Sequence, residues 1–259
     1  MKSIFLILLI VSLQAAAQKG KVILAVFAHA DDEKIVAPVL AKYAAVGADV
    51  YLAVATDGRY GVTEFAHIPA GDSLAHVRER EINCAAQELG IHPPILLRFT
   101  DALRSDERKT QAVLDSVREE VTKLFNTLKP DAVITWGASG WTGHPDHRLI
   151  GNIVTEIFSA KSWNKKPANI FYPEIPTNYL PPENVSYATV DSVYLSIRIP
   201  LSATDLAKAK KALHCHKSQY TYQYADDTEK RIWNTPNPVA FLRPFIAVNG
   251  IQQSIFGRK

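Results

Sequence analysis

Two short clusters, His29-Ala30-Asp31-Asp32-Glu33 and His144-Pro145-Asp146-His147, bring together the side chains that hold catalytic metals. Such sites keep three nitrogen or oxygen ligands and leave one coordination position open. The clusters supply that many ligands with acid and base groups to spare. Capping a helix needs one aspartate, so a cap at Asp31 or Asp32 accounts for neither the second carboxylate nor His29. His144 and His147 are three residues apart and project from neighbouring positions of one helical turn. One imidazole can then bind metal while the other handles protons, with Asp146 available to orient a ring. The plainer alternative is a pair of helix starts with incidental histidines. No nucleophile-elbow serine motif competes as a nucleophile, and neither cysteine lies beside a cluster.

Each cluster follows an apolar run that reads as a buried strand. Val22 to Ala28, Val50 to Ala55, Ile95 to Phe99 and Ala132 to Trp136 are nearly continuous in apolar residues, as parallel strands covered on both faces require. Val193 to Ile199 reads as a fifth. Helical spacing fills the gaps. Val113, Val117, Val121, Leu124 and Leu128 form one stripe, and Leu149, Ile150, Ile153, Val154, Ile157 and Phe158 another. Asp72 or Ser73 caps a helix running to Leu89, which Gly90 ends. This alternation predicts an α/β fold, Rossmann-like and doubly wound, with a mostly parallel sheet in a three-layer sandwich. Reactive loops gather at the carboxyl ends of such strands, so distant clusters can share one pocket. The Pro- and Asn-rich stretch 165–186 reads as a long surface excursion.

Lys2, the apolar run Ile4 to Leu13 and the small residues Ala15-Ala16-Ala17 have the form of a signal peptide cleaved near Ala17. The run is too short to span a bilayer, so no stable membrane anchor is expected. The predicted organisation is a signal peptide over 1–17 and a single domain over 18–259, exported to the periplasm or secreted. The formal net charge of +3 falls to +2 on losing Lys2, and no clustered basic face suits nucleic acid. Export permits a disulfide between Cys84 and Cys215, but two separate buried thiols are the plainer expectation.

The segments Ala28-His29-Ala30-Asp31-Asp32-Glu33 and Gly143-His144-Pro145-Asp146-His147 resemble the signature of the LmbE-like (PIG-L) metal-dependent de-N-acetylases. Thr56-Asp57-Gly58, Arg78-Glu79-Arg80-Glu81, Leu89-Gly90, Pro130-Asp131 and His216-Lys217-Ser218-Gln219 are similar to further family segments in the same order. The resemblance implies a hydrolase that removes the acetyl group from N-acetylglucosamine-type sugars or glycoconjugates. It also implies His29, Asp32 and His147 as ligands of a divalent metal, Zn2+ or another such as Fe2+. Asp31 matches the general base, His144 the residue that stabilises the oxyanion, and Arg78 an arginine that contacts the acetamido-sugar substrate. Ala30 replaces the usual proline, and Trp141-Thr142 stand where the mycothiol-pathway branch carries a tyrosine. Chemically, a cationic His144 suits the oxyanion role. The rival readings are a carbohydrate-binding protein without turnover and a metal hydrolase of another amide or ester bond.

Three further groups have two readings each. Arg78 and Glu81 are one turn apart, forming either an intrahelical ion pair or inward-facing groups of the site. His216 is near the site or simply packed. Tyr60, Phe65 and Trp141 stack on a sugar or close over the core.

Overall fold

A computed structural model describes residues 18–259 except 105–106, 161–162, 164, 178, 180–187, 234–237 and 257–259. The expected signal peptide, and Pro181 and Pro182 of the expected excursion, lie outside the described residues. The strands are β1 (Val22–Phe27), β2 (Asp49–Thr56), β3 (Ile95–Phe99), β4 (Ala132–Thr135), β5 (Ile170–Pro173), β6 (Ile175–Pro176), β7 (Thr189–Val190), β8 (Ile197–Pro200) and β9 (Val239–Pro244). The longer helices are α1 (Ala37–Ala45), α2 (Asp72–Leu89), α3 (Glu107–Leu128), α4 (Pro145–Ala160), α5 (Ala203–Cys215) and α6 (Tyr222–Trp233).

Seven strands form one sheet in the order β3-β2-β1-β4-β5-β9-β8, and β6 pairs with β7 separately. The first five pair in parallel, and β9 runs antiparallel to both β5 and β8. Alternate residues of β1 serve opposite faces. Ile23, Ala25 and Phe27 pack with α1, α2 and α5, whereas Leu24 and Val26 pack with α3 and α4. The three-layer, doubly wound expectation is therefore met. The chain winds outward from β1 through β2 to β3, then returns to the other side of β1 with β4. In sheets of this kind ligands bind beyond the carboxyl ends of the strands at such a reversal, and His29, His144 and His147 come together beyond β1 and β4.

The structure corrects several expectations. The stretch 165–186 is not all surface excursion, because Ile170 to Pro173 form a wholly buried interior strand. A four-residue strand ending in proline carries too little periodicity to announce itself. Ser192 to Tyr194 form a 3₁₀ turn, so the strand expected from Val193 begins only at Ile197. Asp72 begins α2 instead of capping it; Gly71 holds the cap position with no side-chain bond. Gly90, at φ 75°, closes α2 as expected. Cys84 and Cys215 are joined in a disulfide, with Cα atoms 5.8 Å apart. Helices α2 and α5 share one face of the sheet, an adjacency that sequence spacing does not reveal. Among the described residues, no helix is long and apolar enough to cross a membrane.

Candidate metal centre

The expected ligands His29, Asp32 and His147 converge. Nδ1 of His29 lies 3.2 Å from Nε2 of His147. Nε2 of His147 lies 3.1 Å from Oδ1 of Asp32, and Nδ1 of His29 lies 3.7 Å from Oδ2 of the same carboxylate. Ligand atoms of tetrahedral zinc stand about 3.3 Å from one another, given bonds of about 2.0 to 2.1 Å. The 3.2 Å between the two ring nitrogens and the 3.1 Å from His147 to Oδ1 fit a shared cation.

The surrounding hydrogen bonds show which atoms remain to bind it. Asp32 Oδ2 accepts from the backbone N–H groups of Ala28 and His29 and from Nε1–H of Trp136, at 3.1, 2.9 and 3.1 Å. Its Oδ1 is left facing the histidines. Nδ1 of His147 lies 2.9 Å from the carbonyl oxygen of Gly140, which can only accept. A neutral His147 therefore carries its proton on Nδ1 and presents a bare Nε2. Nε2 of His29 lies 3.2 Å from Oδ1 of Asp101, an arrangement that puts the proton there and bares Nδ1. Two imidazole lone pairs and one carboxylate oxygen thus point at a common position. The residues fit a divalent cation, and zinc suits nitrogen and oxygen donors at this spacing.

Electrostatics agrees. Burial works against a protonated His29, but Asp101, Asp146 and Asp32 outweigh it and raise the imidazole well above its usual value. Burial likewise opposes an ionised Asp32, yet His147 and His29 hold it well below the usual carboxylate range. Asp101 titrates at about 2 because His29 and the N–H groups of Ala102 and Tyr60 overcome its desolvation. Without a cation, this pocket would have to hold a proton between the rings.

The other expected site residues take distinct places. His144 sits over His29 and His147, with ring centroids 4.7 and 4.8 Å away, and also comes within ligand reach of both. Its Nδ1 accepts the backbone N–H of Asp146 at 3.2 Å, so the neutral ring carries its proton on Nε2. Burial and the charges of His29 and His147 lower its pKa, so His144 is a neutral donor near neutral pH, where the sequence suggested a cation. The Asp146 carboxylate does not orient that ring. It accepts Leu103 N–H through Oδ1 and puts Oδ2 3.5 Å from Nε2 of His29.

Asp31 faces another group of partners. Its backbone adopts φ 113°, a left-handed conformation costly for a residue with a Cβ, and its side chain caps nothing. Arg78 Nη2 donates to Asp31 Oδ1 at 2.7 Å, and the Tyr220 hydroxyl donates to Oδ2. Burial pushes the Asp31 carboxyl upward, but Lys34 and Arg78 prevail and lower it. Arg78 also donates to the carbonyls of Gly58 and Ala30. A Cβ at Gly61 would collide with its guanidinium.

Arg78 and Glu81 turn inward to different partners. Glu81 accepts from the backbone N–H and hydroxyl of Ser218, at 2.7 and 2.6 Å. His216 is completely buried and lies 2.6 Å from Glu33 Oε1, beside the first cluster. Trp141 is buried against Trp136, whereas Tyr60 and Phe65 stay exposed. The sequence reading missed Asp101, Trp136, Lys34 and Tyr220. Asp101, two residues beyond β3, was discoverable from its place at a parallel strand's carboxyl end.

Residues 24–158 match the PIG-L family, described as GlcNAc-PI de-N-acetylase. The chain belongs to this family. A Rhodococcus opacus protein named 1D-myo-inositol 2-acetamido-2-deoxy-alpha-D-glucopyranoside deacetylase is 33% identical over 162 residues, 56% of each chain. The chain thus spans little more than half of that relative's length. A Mycobacteroides abscessus protein of the same name is 28% identical over 257 residues, covering 87% of this chain and 91% of the relative. Among solved structures, the N,N'-diacetylchitobiose deacetylase of Pyrococcus horikoshii superposes with a TM-score of 0.65 at 20% identity, covering 87% and 84% of the two chains. That last likeness concerns the fold.

Proposed function

We propose that this PIG-L family member is an exported, metal-dependent hydrolase that removes the acetyl group from an N-acetylglucosamine-type amino sugar or glycoconjugate. One observation carries the reading: two imidazole nitrogens 3.2 Å apart, each with the opposite ring nitrogen tied off, meet beside Asp32, whose free Oδ1 lies 3.1 Å from one of them. The named activities of the relatives supply the substrate class. A divalent cation held by His29, Asp32 and His147, zinc or another such as iron(II), would polarise an acetamide carbonyl and acidify water there.

The chain's own groups supply the rest. Asp31, kept ionised by Lys34 and Arg78, accepts the proton of the attacking water. Its Oδ1 accepts from Arg78 and keeps a second lone pair for that purpose. The Nε2–H of His144 donates to the oxyanion that develops as the water oxygen bonds to the acetamide carbon. The C–N bond then breaks as the amine takes the proton that Asp31 accepted, and acetate leaves. Arg78 holds Asp31 and contacts the sugar. The disulfide between Cys84 and Cys215 supports export, since such bonds persist in oxidising compartments.

Acetate release from N-acetylglucosamine and its conjugates tests the reading with metal-loaded protein, chelated protein and Asp31→Asn. Chelation should abolish release, and Asp31→Asn should lower it by roughly 100- to 10,000-fold. Turnover indifferent to both changes removes the proposal, and sugar affinity without any acetate makes the protein a binding module.

A further inference from the structure

Tyr220 reaches the first cluster from 189 residues away. Its hydroxyl meets two groups at once. Lys34 Nζ lies 2.6 Å from the phenol oxygen, and the phenol contacts Asp31 Oδ2. The direction of both bonds follows from donor chemistry. An ammonium has only hydrogens to give, so the phenol oxygen accepts from Lys34 and its own O–H goes to the carboxylate. Lys34 is held in turn between aromatic rings, 5.4 Å from the Trp141 centroid and 5.1 Å from that of Tyr220. It also donates to the Asp31 carbonyl at 3.3 Å.

This chain of donors meets Asp31 on the oxygen that Arg78 leaves. With Arg78 on Oδ1 and Tyr220 on Oδ2, the carboxylate plane is set from both sides. The segment carrying the phenol is itself anchored. Ser218 bonds Glu81, Gln219 Nε2 donates to the Gly61 carbonyl at 2.9 Å, and His216 meets Glu33. The tyrosine ring also stacks on Tyr224, centroids 5.1 Å apart. Packing therefore accounts for the ring, but it does not account for a hydroxyl placed between Lys34 and Asp31.

The geometry points to Tyr220 as a positioning residue for Asp31, its phenol aligned by Lys34 so that the carboxylate is held in one orientation for proton transfer. The assignment rests on the proposed role of Asp31 as base. Its energetic logic is that of pre-organisation, since misplacing a reacting group by about 1 Å costs roughly 100-fold in rate.

Kinetics of acetate release test it with Tyr220→Phe, Lys34→Met, the double variant and Lys34→Arg. Tyr220→Phe keeps the ring and its stacking, so kcat should fall roughly 10- to 100-fold with KM nearly unchanged. The double variant should lose less than the product of the two single losses, because Lys34 acts on Asp31 partly through the phenol and partly by its own ion pair, and Lys34→Arg should keep most of the wild-type rate. An unchanged kcat in Tyr220→Phe, a loss confined to KM, or losses that multiply would overturn the assignment. A crystal structure of metal-loaded Tyr220→Phe reads the same question without turnover. The Asp31 carboxylate should turn away from its wild-type orientation, and a carboxylate left in place refutes the role. Wild-type protein that releases no acetate would instead count against the proposed reaction, while the crystallographic comparison still decides the positioning role.

Discussion

Nδ1 of His29 and Nε2 of His147 stand 3.2 Å apart, and the opposite nitrogen of each ring is tied off, to Asp101 in one case and to the Gly140 carbonyl in the other. Two lone pairs this close repel unless a proton or a cation lies between them. The same hydrogen bonds that choose the tautomers therefore make the site ready for metal, and make metal compete with protons.

Metal affinity should accordingly depend on groups that never touch the ion. Asp101→Asn weakens the acceptor that fixes His29, and Trp136→Phe removes one of three donors to Asp32 Oδ2. Each should cost roughly 10- to 100-fold in zinc affinity, measured by competition with a chromophoric chelator. The metal-free His29 titrates well above its usual value, so binding displaces its proton in neutral solution. Apparent affinity should fall by about tenfold per pH unit as acid is added. Affinity indifferent to pH and to both substitutions would mean that the ion sits elsewhere.

The disulfide joins α2, which carries Arg78 and Glu81, to the end of α5, beside the His216 to Tyr220 segment. Its two cysteines are 131 residues apart, so the link constrains a long loop of the unfolded chain. Reduction, or the Cys84→Ser/Cys215→Ser double variant, should cost about 3 to 5 kcal/mol and lower Tm by about 10 °C. Calorimetry with and without dithiothreitol checks this. An unchanged Tm would show that α2 and α5 hold together without the bond.

How much of this was legible in the sequence follows from where each group sits. His29, Asp32 and His147 announce themselves because each cluster adjoins a strand whose continuous apolar run marks it as interior. The reversal between β1 and β4 then brings the clusters together, as the alternation of strands and helices foretells. Asp101 is a lone carboxylate with no motif around it, and only its place just past β3 sets it apart from a solvated aspartate. Tyr220 is joined to Asp31 only through the packing of α5 against α1 and α2, which no local pattern encodes. β9 buries every second residue, and its apolar run Val239 to Leu242 is cut off by Arg243 and Pro244, too short to stand out. The charge on His144 is set by its neighbours, which a sequence does not name. Burial and two adjacent imidazoles disfavour its charge.

Glu174 offers a test of stability independent of catalysis. It follows β5, is 5% exposed, and has Arg243 Nη2 3.4 Å from Oε1. Burial pushes its pKa up to about 7, and Arg243 only partly offsets that. An unfolded glutamate titrates near 4.5, so between these values the native state keeps a proton that the unfolded state gives up. Stability from this group therefore falls as pH rises from 4.5 to 7; the cost is absent below that window and complete above it. The shift corresponds to at most about 3 kcal/mol. Glu174→Gln keeps the shape and removes the charge. Urea unfolding should find it more stable than wild type by about 1 to 3 kcal/mol at pH 8 and nearly equal to it at pH 4. A variant less stable than wild type at pH 8 would show that the attraction to Arg243 exceeds the cost of burying the carboxylate, and the pH dependence assigned to this group would be reversed.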